Sequence, residues 1–394
     1  MSVLNSVENL TDLNTKAPDR NKAFDGIRGY AALIVIIFHS LLGFNMGFVS
    51  DSLFAPLLSI PDAYHIFVKF LISTFSGHIA VDIFFAMSGC VLIMSSQRCL
   101  KAGDIRGSVI FVIRRAFRIM PALLFCVSVI AAVFWALSFS FPGMIAPYTK
   151  DQVFDNLMLW GMPIHGASWT LRVEMLAIPA LAIVGLLYKK VGNAGLIFFL
   201  IFSILSFENP KLCLNHPDLS SSLIYFSLGA LIPTELGAAI GKVRANIWLL
   251  IAAMMYERFL FSPYEGATIK IAQAGLCFWF LCQIYYGVPR KVVAFLSSPG
   301  SVFLGKISYS IYLWNVLFLN VMFALRPLFP VWMQSHPVIS GSFASIFIGL
   351  ATIPIAAVSE KYIERPFVAL GKRIEDLFLH LTGGNSFPQV VSKT

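Results

Sequence analysis

The chain has 394 residues, of which 58% are hydrophobic and only 12% are charged. Soluble domains carry about 25% charged residues, so this composition excludes an ordinary soluble protein and indicates one embedded in a membrane. The net charge of +9 is spread along the chain, as expected of loop charges that set membrane topology, and this excludes a nucleic-acid-binding patch. No internal sequence repeat is apparent, so we expect a single membrane domain.

Spanning helices need roughly 20 mostly apolar residues each. With an N-terminus in the cytoplasm, most of the 29 lysines and arginines fall in cytoplasmic segments, as the positive-inside rule requires. The fold class predicted is therefore all-α: a polytopic integral membrane helical bundle of about ten transmembrane helices with both termini cytoplasmic. In chain order, the predicted spans are 27–46, 66–95, 109–140, 170–188, 194–207, 221–236, 246–262, 268–287, 301–325 and 338–360.

The predicted domain organisation has three parts. Residues 1–23 form a flexible polar cytoplasmic N-terminus, 24–370 the transmembrane domain and 371–394 a cytoplasmic tail. The apolar run from Tyr30 has no small-residue cleavage site after it, which argues against a signal peptide. We expect Pro366 to stop the last spanning helix. The cysteines form no CxxC pair, so neither a disulfide framework nor a metal site is predicted.

Polar residues inside the predicted spans are the candidates for function, because ionisable groups are costly in a bilayer. Arg28 and His39 lie on one face of the first helix, about 16 Å apart along its axis. Taken alone, His39 is as readily explained by packing as by function. The carboxylate of Asp82 in the second span is either functional or part of a buried ion pair that orients helices.

Three further segments concentrate polar side chains. The segment RRAFRIMP has arginines that can grip a phosphorylated ligand or anchor the helix at lipid headgroups. Trp169 and Glu174 enter the fourth span, which we expect to start on the outer side. The segment GKISYSIYLWN has a polar density typical of a lined cavity, and Glu364 lies at the cytoplasmic end of the tenth span.

These segments together resemble the membrane acyltransferase family 3 in its stand-alone form. The resemblance is carried, in order over about 24–370, by FDGIRGYAALIVIIFH, VDIFFAMSG, RRAFRIMP, SWTLRVE, ISYSIYLW and IERPF. Members of this family move acyl groups, commonly acetyl, from a cytoplasmic acyl-CoA-type donor to sugars beyond the membrane. The resemblance implies acyl-CoA as co-substrate with no permanently bound cofactor, a carbohydrate acceptor, and a multi-pass protein in the bilayer of the bacterial inner membrane.

The resemblance also implies roles for individual residues. His39 is the expected general base and Arg28 its functional partner, with Asp82 as a third catalytic residue. The expected donor-binding residues are Arg114, Arg115, Arg118 and Glu364, and the expected acceptor-binding residues are Glu174, Trp169, Tyr309 and Asn315. The family usually has His at the position of Asn315, and Asn cannot carry a proton at neutral pH. We expect Asn315→His to leave folding intact.

Two other functions stay open at this stage. A transporter or translocator of a glycan or lipid-linked precursor would also have spans with internal charges, although it would typically show internal repeats. A catalytically inactive relative would bind acyl-CoA without turning it over, and Asn315 is the feature that motivates it. Direct transfer from donor to acceptor is preferred to an acyl-enzyme, since no nucleophile has a demonstrable base beside it in the sequence.

Overall fold

The computed structural model of the protein describes residues 21–60, 62–260 and 266–382. The predicted N-terminal segment up to residue 20 and the tail from 383 lie outside the described residues. All regular secondary structure in the described part is helical. The longer helices are α1 (Lys22–Gly43), α2 (Gly77–Cys99), α3 (Asp104–Ser140), α4 (Trp169–Val191), α5 (Asn193–Glu208), α6 (Pro217–Leu231), α7 (Ile247–Leu260), α8 (Ala267–Tyr285), α9 (Ser308–Leu325), α10 (Pro337–Ser359) and α11 (Arg365–Leu381).

Short helices connect the longer ones. They are Met46–Phe54, Ala63–Thr74, Lys150–Leu157, Glu235–Lys242, Arg290–Leu296, Pro299–Lys306 and Val331–Ser335. Single 3-10 turns cover Leu57–Ser59, Leu100–Ala102, Gly166–Ser168, Pro210–Cys213 and Arg326–Leu328, and a π turn covers Glu360–Glu364.

Seven helical stretches of the described chain are long and apolar enough to cross a membrane, or eight if α6 and the helix Glu235–Lys242, bent by 86° from each other, count as one span. The helices α5 and α7 are apolar but shorter. The protein is therefore a multi-pass, all-helical membrane protein. The count of about ten spans and the cytoplasmic location of both termini stay predictions.

Two predicted spans are interrupted by a break between helices. The span predicted from residue 66 breaks after Thr74, and Ser76 begins α2 by accepting a hydrogen bond from the amide of Ile79 at 3.4 Å. The span predicted from residue 301 also consists of two helices, since one ends at Lys306 and α9 begins at Ser308. Averaged hydropathy does not detect such breaks because each break is short and the helices on both sides of it are apolar.

The expectation that Pro366 stops the last helix is wrong. The chain leaves α10 through the π turn Glu360–Glu364 and continues as α11, with Pro366 in its first turn. Proline is tolerated in the first turn of a helix because the amide hydrogen that it lacks would have no partner within the helix there. Part of the predicted tail is thus a helix, and it packs against α3.

Glycines allow the backbones of neighbouring helices to approach closely. Between α2 and α6, a Cβ on Gly89 would lie 2.2 Å from the carbonyl oxygen of Phe226, and one on Gly229 would lie 1.9 Å from that of Ala86. A Cβ on Gly305 would lie 1.9 Å from the carbonyl oxygen of Asp25. The last contact holds the start of α1 against the helix Pro299–Lys306.

An ion pair fixes the axial position of α4 relative to α3. Lys189 lies 2.7 Å from Asp104, so the end of α4 is beside the start of α3 and the two helices run antiparallel. At 1.5 Å per residue, Glu174 is about 22 Å back from Lys189 and Arg118 is about 21 Å on from Asp104. Glu174 and Arg118 are therefore at the same depth, whereas the sequence suggested opposite ends of the membrane.

The segment between α3 and α4 folds back into the bundle around the buried Asn156. The side-chain oxygen of Asn156 accepts hydrogen bonds from the amides of Ile164 and His165 at 3.1 and 2.7 Å. His165 Nε2 in turn donates to the carbonyl of Leu313 on α9 at 3.0 Å. Buried polar groups need such partners, and the network fastens this segment to α9.

Candidate active site

A cavity of about 150 Å³ lies at the level shared by Arg118 and Glu174. Its walls come from α1, α2, α3, α4, the helix Pro299–Lys306, α9 and the π turn after α10. The hydroxyl-bearing residues that line it are Ser88, Thr170, Ser308, Tyr309 and Tyr312. The charged residues that line it are Asp25, Arg28, Arg115, Arg118, Glu174, Lys306 and Glu364.

Positive charge predominates in this cavity, with four cationic side chains facing three carboxylates. Arg115 is only 8% exposed, whereas Arg118 is exposed, so the arginines extend from the interior to the surface. A guanidinium group binds phosphate or carboxylate through two parallel hydrogen bonds. The arrangement is therefore suited to an anionic ligand that enters from the side of Arg118 and Lys306.

The contribution of α2 explains why one predicted residue is absent from the site. The helix presents a stripe of lining residues, Val81, Phe84, Phe85, Ser88 and Val91, which recur at helical spacing. Asp82 is buried, but it points about a third of a turn away from this stripe and does not line the cavity.

The polar walls are held by α9. Ser310 donates a hydrogen bond to the carboxylate of Glu364, which ties the π turn to α9. The hydroxyl of Tyr309 donates to the carbonyl of Ile119 at 2.7 Å, which ties α9 to α3. Glu364 and Tyr309 therefore face the cavity from fixed positions.

Tyr312 closes the cavity at the end away from Lys306. Its hydroxyl donates to the carbonyl of Ala167 at 2.7 Å and lies 2.8 Å from the hydroxyl of Thr170. Its ring belongs to an apolar cluster with Ala31, Val35 and Ala80. Because Ala31 and Val35 follow Arg28 along α1, this cluster separates the cavity from His39.

The structure brings most, but not all, of the predicted site residues together. Those that line the cavity are Arg28, Arg115, Arg118, Glu174, Tyr309 and Glu364. Those that do not are His39, Asp82, Arg114, Trp169 and Asn315.

The residues outside the cavity have other surroundings. His39 lies further along α1, with its ring centroid 5.4 Å from that of Phe38. Trp169 packs edge-on behind Phe85, with centroids 6.1 Å apart. Asn315 is fully buried and its side-chain nitrogen donates to the carbonyls of its own helix, at Ile311 and Tyr312.

Arg114 faces away from the cavity towards the last helix. Its Nε and Nη2 donate to the two carboxylate oxygens of Glu375 on α11, at 2.7 and 2.6 Å. The predicted role of Arg114 in donor binding is therefore not supported by its position, since its guanidinium group is already engaged in a two-pronged ion pair.

Sequence reasoning missed several residues of the cavity. Asp25, Lys306, Thr170 and Tyr312 were not selected as site residues, although all four line the cavity. The glycines beside them were an available signal, because Gly26, Gly29 and Gly305 permit the close helix contact that brings Asp25 and Lys306 to one place.

Within residues 21–60, 62–260 and 266–382, no group of three or more His, Cys, Asp or Glu side chains could hold a metal ion. The six cysteines are free and buried. The chemistry that the site offers is thus that of arginines, carboxylates and hydroxyls around a cavity.

Comparison with known proteins identifies the family. The acyltransferase domain of the acyltransferase 3 family matches residues 21–359, most of the chain. Comparisons with curated proteins and with solved structures give no match. The resemblance noted in the sequence is confirmed. The helical bundle that encloses the arginine-lined cavity is an acyltransferase domain, and the chain belongs to the membrane acyltransferase family 3.

Proposed function

We propose that the protein transfers an acyl group, acetyl in the simplest case, from acyl-CoA to a hydroxyl of a cell-surface or exported glycan. The observation that carries the proposal is the convergence of Arg28, Arg115 and Arg118 on one cavity within an acyltransferase domain. The donor, CoA, carries several phosphate groups, and arginine binds phosphate through paired, charge-assisted hydrogen bonds. In this proposal the protein lies in a bacterial inner membrane and the cavity opens to the cytoplasm.

The distance from the arginines to His39 fits this donor. The pantetheine arm of CoA contains two amides and is about as long as five extended residues, roughly 17 Å. Arg28 and His39 are on one face of α1, about 16 Å apart along its axis. A donor with its phosphates at the arginines would therefore present its thioester near His39, once the ring of Tyr312 has moved aside.

The proposed reaction is a direct transfer. His39 accepts the proton of the acceptor hydroxyl as that oxygen attacks the thioester carbonyl. The carbon–sulfur bond then breaks, and the departing CoA thiolate receives the proton from His39. The acyl group ends as an ester on the glycan, and His39 returns to its neutral form.

The carboxylates have a supporting role in this proposal. Glu174 and Glu364 share the cavity with the arginines, so they balance the positive charge while no donor is bound. Tyr309 and Glu174 were expected on an acceptor route from outside. Their place beside the arginines favours contact with the donor instead.

The test measures CoA binding and thiol release by the purified protein with acetyl-CoA, without any ion gradient. Arg118→Gln removes one phosphate-binding group and is expected to weaken CoA binding about tenfold to a hundredfold, as lost hydrogen bonds to charged groups do. The matched control is Arg106→Gln on the same helix, since Arg106 does not line the cavity.

His39→Gln separates binding from chemistry. We expect CoA binding to be unchanged and acyl transfer to fall at least about 100-fold, the usual contribution of a general base. Equal transfer by wild type and His39→Gln would remove His39 from the mechanism. CoA binding without thiol release, with glycan acceptors present, would favour the inactive relative, and substrate movement across vesicles without thiol release would favour a transporter.

A further inference from the structure

The last helix is clamped onto α3 beside the arginines of the cavity. Glu375 is 1% exposed, and its carboxylate accepts both hydrogen bonds from Arg114. A second contact supports the clamp, since a Cβ on Gly371 would lie 2.7 Å from Cβ of Phe117. The family match ends at residue 359, so this clamp comes from a helix beyond the matched region.

The ion pair with Glu375 engages a residue of α3 that is adjacent to the cavity-lining face of this helix. Successive residues of a helix point about 100° apart, so Arg118 lies between Arg114 and Arg115, about 40° from Arg114. A rotation of α3 by about 40° would bring Arg114 to the direction that Arg118 has now, and it would carry Arg115 to the edge of the cavity, where Ile119 now lies. The direction of Arg114 therefore decides which guanidinium groups face the ligand.

We infer that Glu375 is a positioning residue for the donor site. By holding Arg114 in a two-pronged ion pair, it fixes the rotation of α3 and presents Arg115 and Arg118 to the phosphates of acyl-CoA. The inference rests on the proposed function, because it assumes that the cavity binds this donor.

Charge and hydrogen-bond geometry both support this role. Arg28, Arg115 and Arg118 already concentrate positive charge in the cavity, and Glu375 keeps a fourth guanidinium group out of it. Two parallel hydrogen bonds constrain the orientation of a guanidinium group, which a single contact or a lysine would not do.

The test measures the dissociation constant of CoA, used as the probe, together with the thermal unfolding temperature of the purified full-length protein. Glu375→Gln is expected to weaken CoA binding about tenfold, since small displacements of binding groups have large effects. Arg114→Lys keeps the positive charge but cannot donate two parallel hydrogen bonds to Glu375, and it is expected to weaken CoA binding similarly. Arg373→Gln, a change at an exposed residue of the same helix, is the control and should bind CoA like the wild type.

A double variant distinguishes positioning from simple stabilisation. Arg114→Gln with Glu375→Gln leaves no unpaired charge, so its unfolding temperature should recover relative to Glu375→Gln. A positioning role predicts that its CoA binding stays weak, and recovery of wild-type affinity would overturn the inference. If Glu375→Gln does not fold, the double variant and Arg114→Lys carry the test.

Arg118→Gln separates the failure of this inference from the failure of the proposed function. Weak CoA binding by Arg118→Gln, combined with wild-type affinity in both Glu375 variants, would refute only the role of Glu375. Wild-type affinity in Arg118→Gln would refute the donor site itself, and with it the premise of the inference.

Discussion

Gly229→Ala is expected to destabilise the bundle at the crossing of α2 and α6. The added methyl group would lie 1.9 Å from the carbonyl oxygen of Ala86, whereas ordinary contacts begin near 3.4 Å. The obstacle is backbone on the opposite helix, so no side chain can swing away and the helices must part by about 1.5 Å. If about forty atom pairs each lose about half of a 0.15 kcal/mol attraction, the free energy of unfolding falls by about 3 kcal/mol.

This magnitude can be measured by reversible unfolding in mixed detergent micelles. The matched control is Gly275→Ala in α8, where a Cβ would have no atom within 4 Å. Because glycine weakens a helix interior, the control is expected to stabilise the protein by about 0.5 kcal/mol. An unfolding free energy for Gly229→Ala within about 0.5 kcal/mol of wild type would refute the reasoning, since the helices would then have room that the structure does not show.

Two other predictions concern α9. Tyr312→Phe loses hydrogen bonds worth about 1 kcal/mol that hold the ring against Ala167, so acyl-CoA hydrolysis without acceptor is expected to rise about fivefold; an unchanged rate would show that the hydroxyl does not keep the cavity closed. Asn315→His places a larger ring in a fully buried site and is expected to lower the free energy of unfolding by about 2 kcal/mol. This revises the sequence-based expectation that folding stays intact, and unfolding like that of the wild type would restore it.

The sequence predicts the helices and much of the site because both leave local signals. Apolar runs of sufficient length indicate helices in a membrane, and a charged residue within such a run needs a cavity or a partner. Arg28, Arg115 and Glu174 were selected on this basis, and they share one cavity in the structure.

The remainder depends on which helix faces meet, and this is not encoded locally. Asp82 and Arg114 are as costly in a bilayer as Arg115, yet both point away from the cavity. The depth of Glu174 could not be predicted either, because it follows from the contact between Lys189 and Asp104, which lie far apart in the sequence. The partner of Arg114 was missed because Pro366 was expected to end the last helix, so Glu375 was not expected to lie on a helix that packs against α3.

The burial of every native cysteine makes the orientation of the protein directly accessible to chemical labelling. All six thiols are buried, so a water-soluble maleimide added to intact cells would react first with a cysteine introduced at an exposed position. Ser335 precedes α10 and Lys372 follows it, and both are exposed. Single Ser335→Cys and Lys372→Cys variants should therefore be labelled from opposite sides of the membrane, without first removing any native thiol.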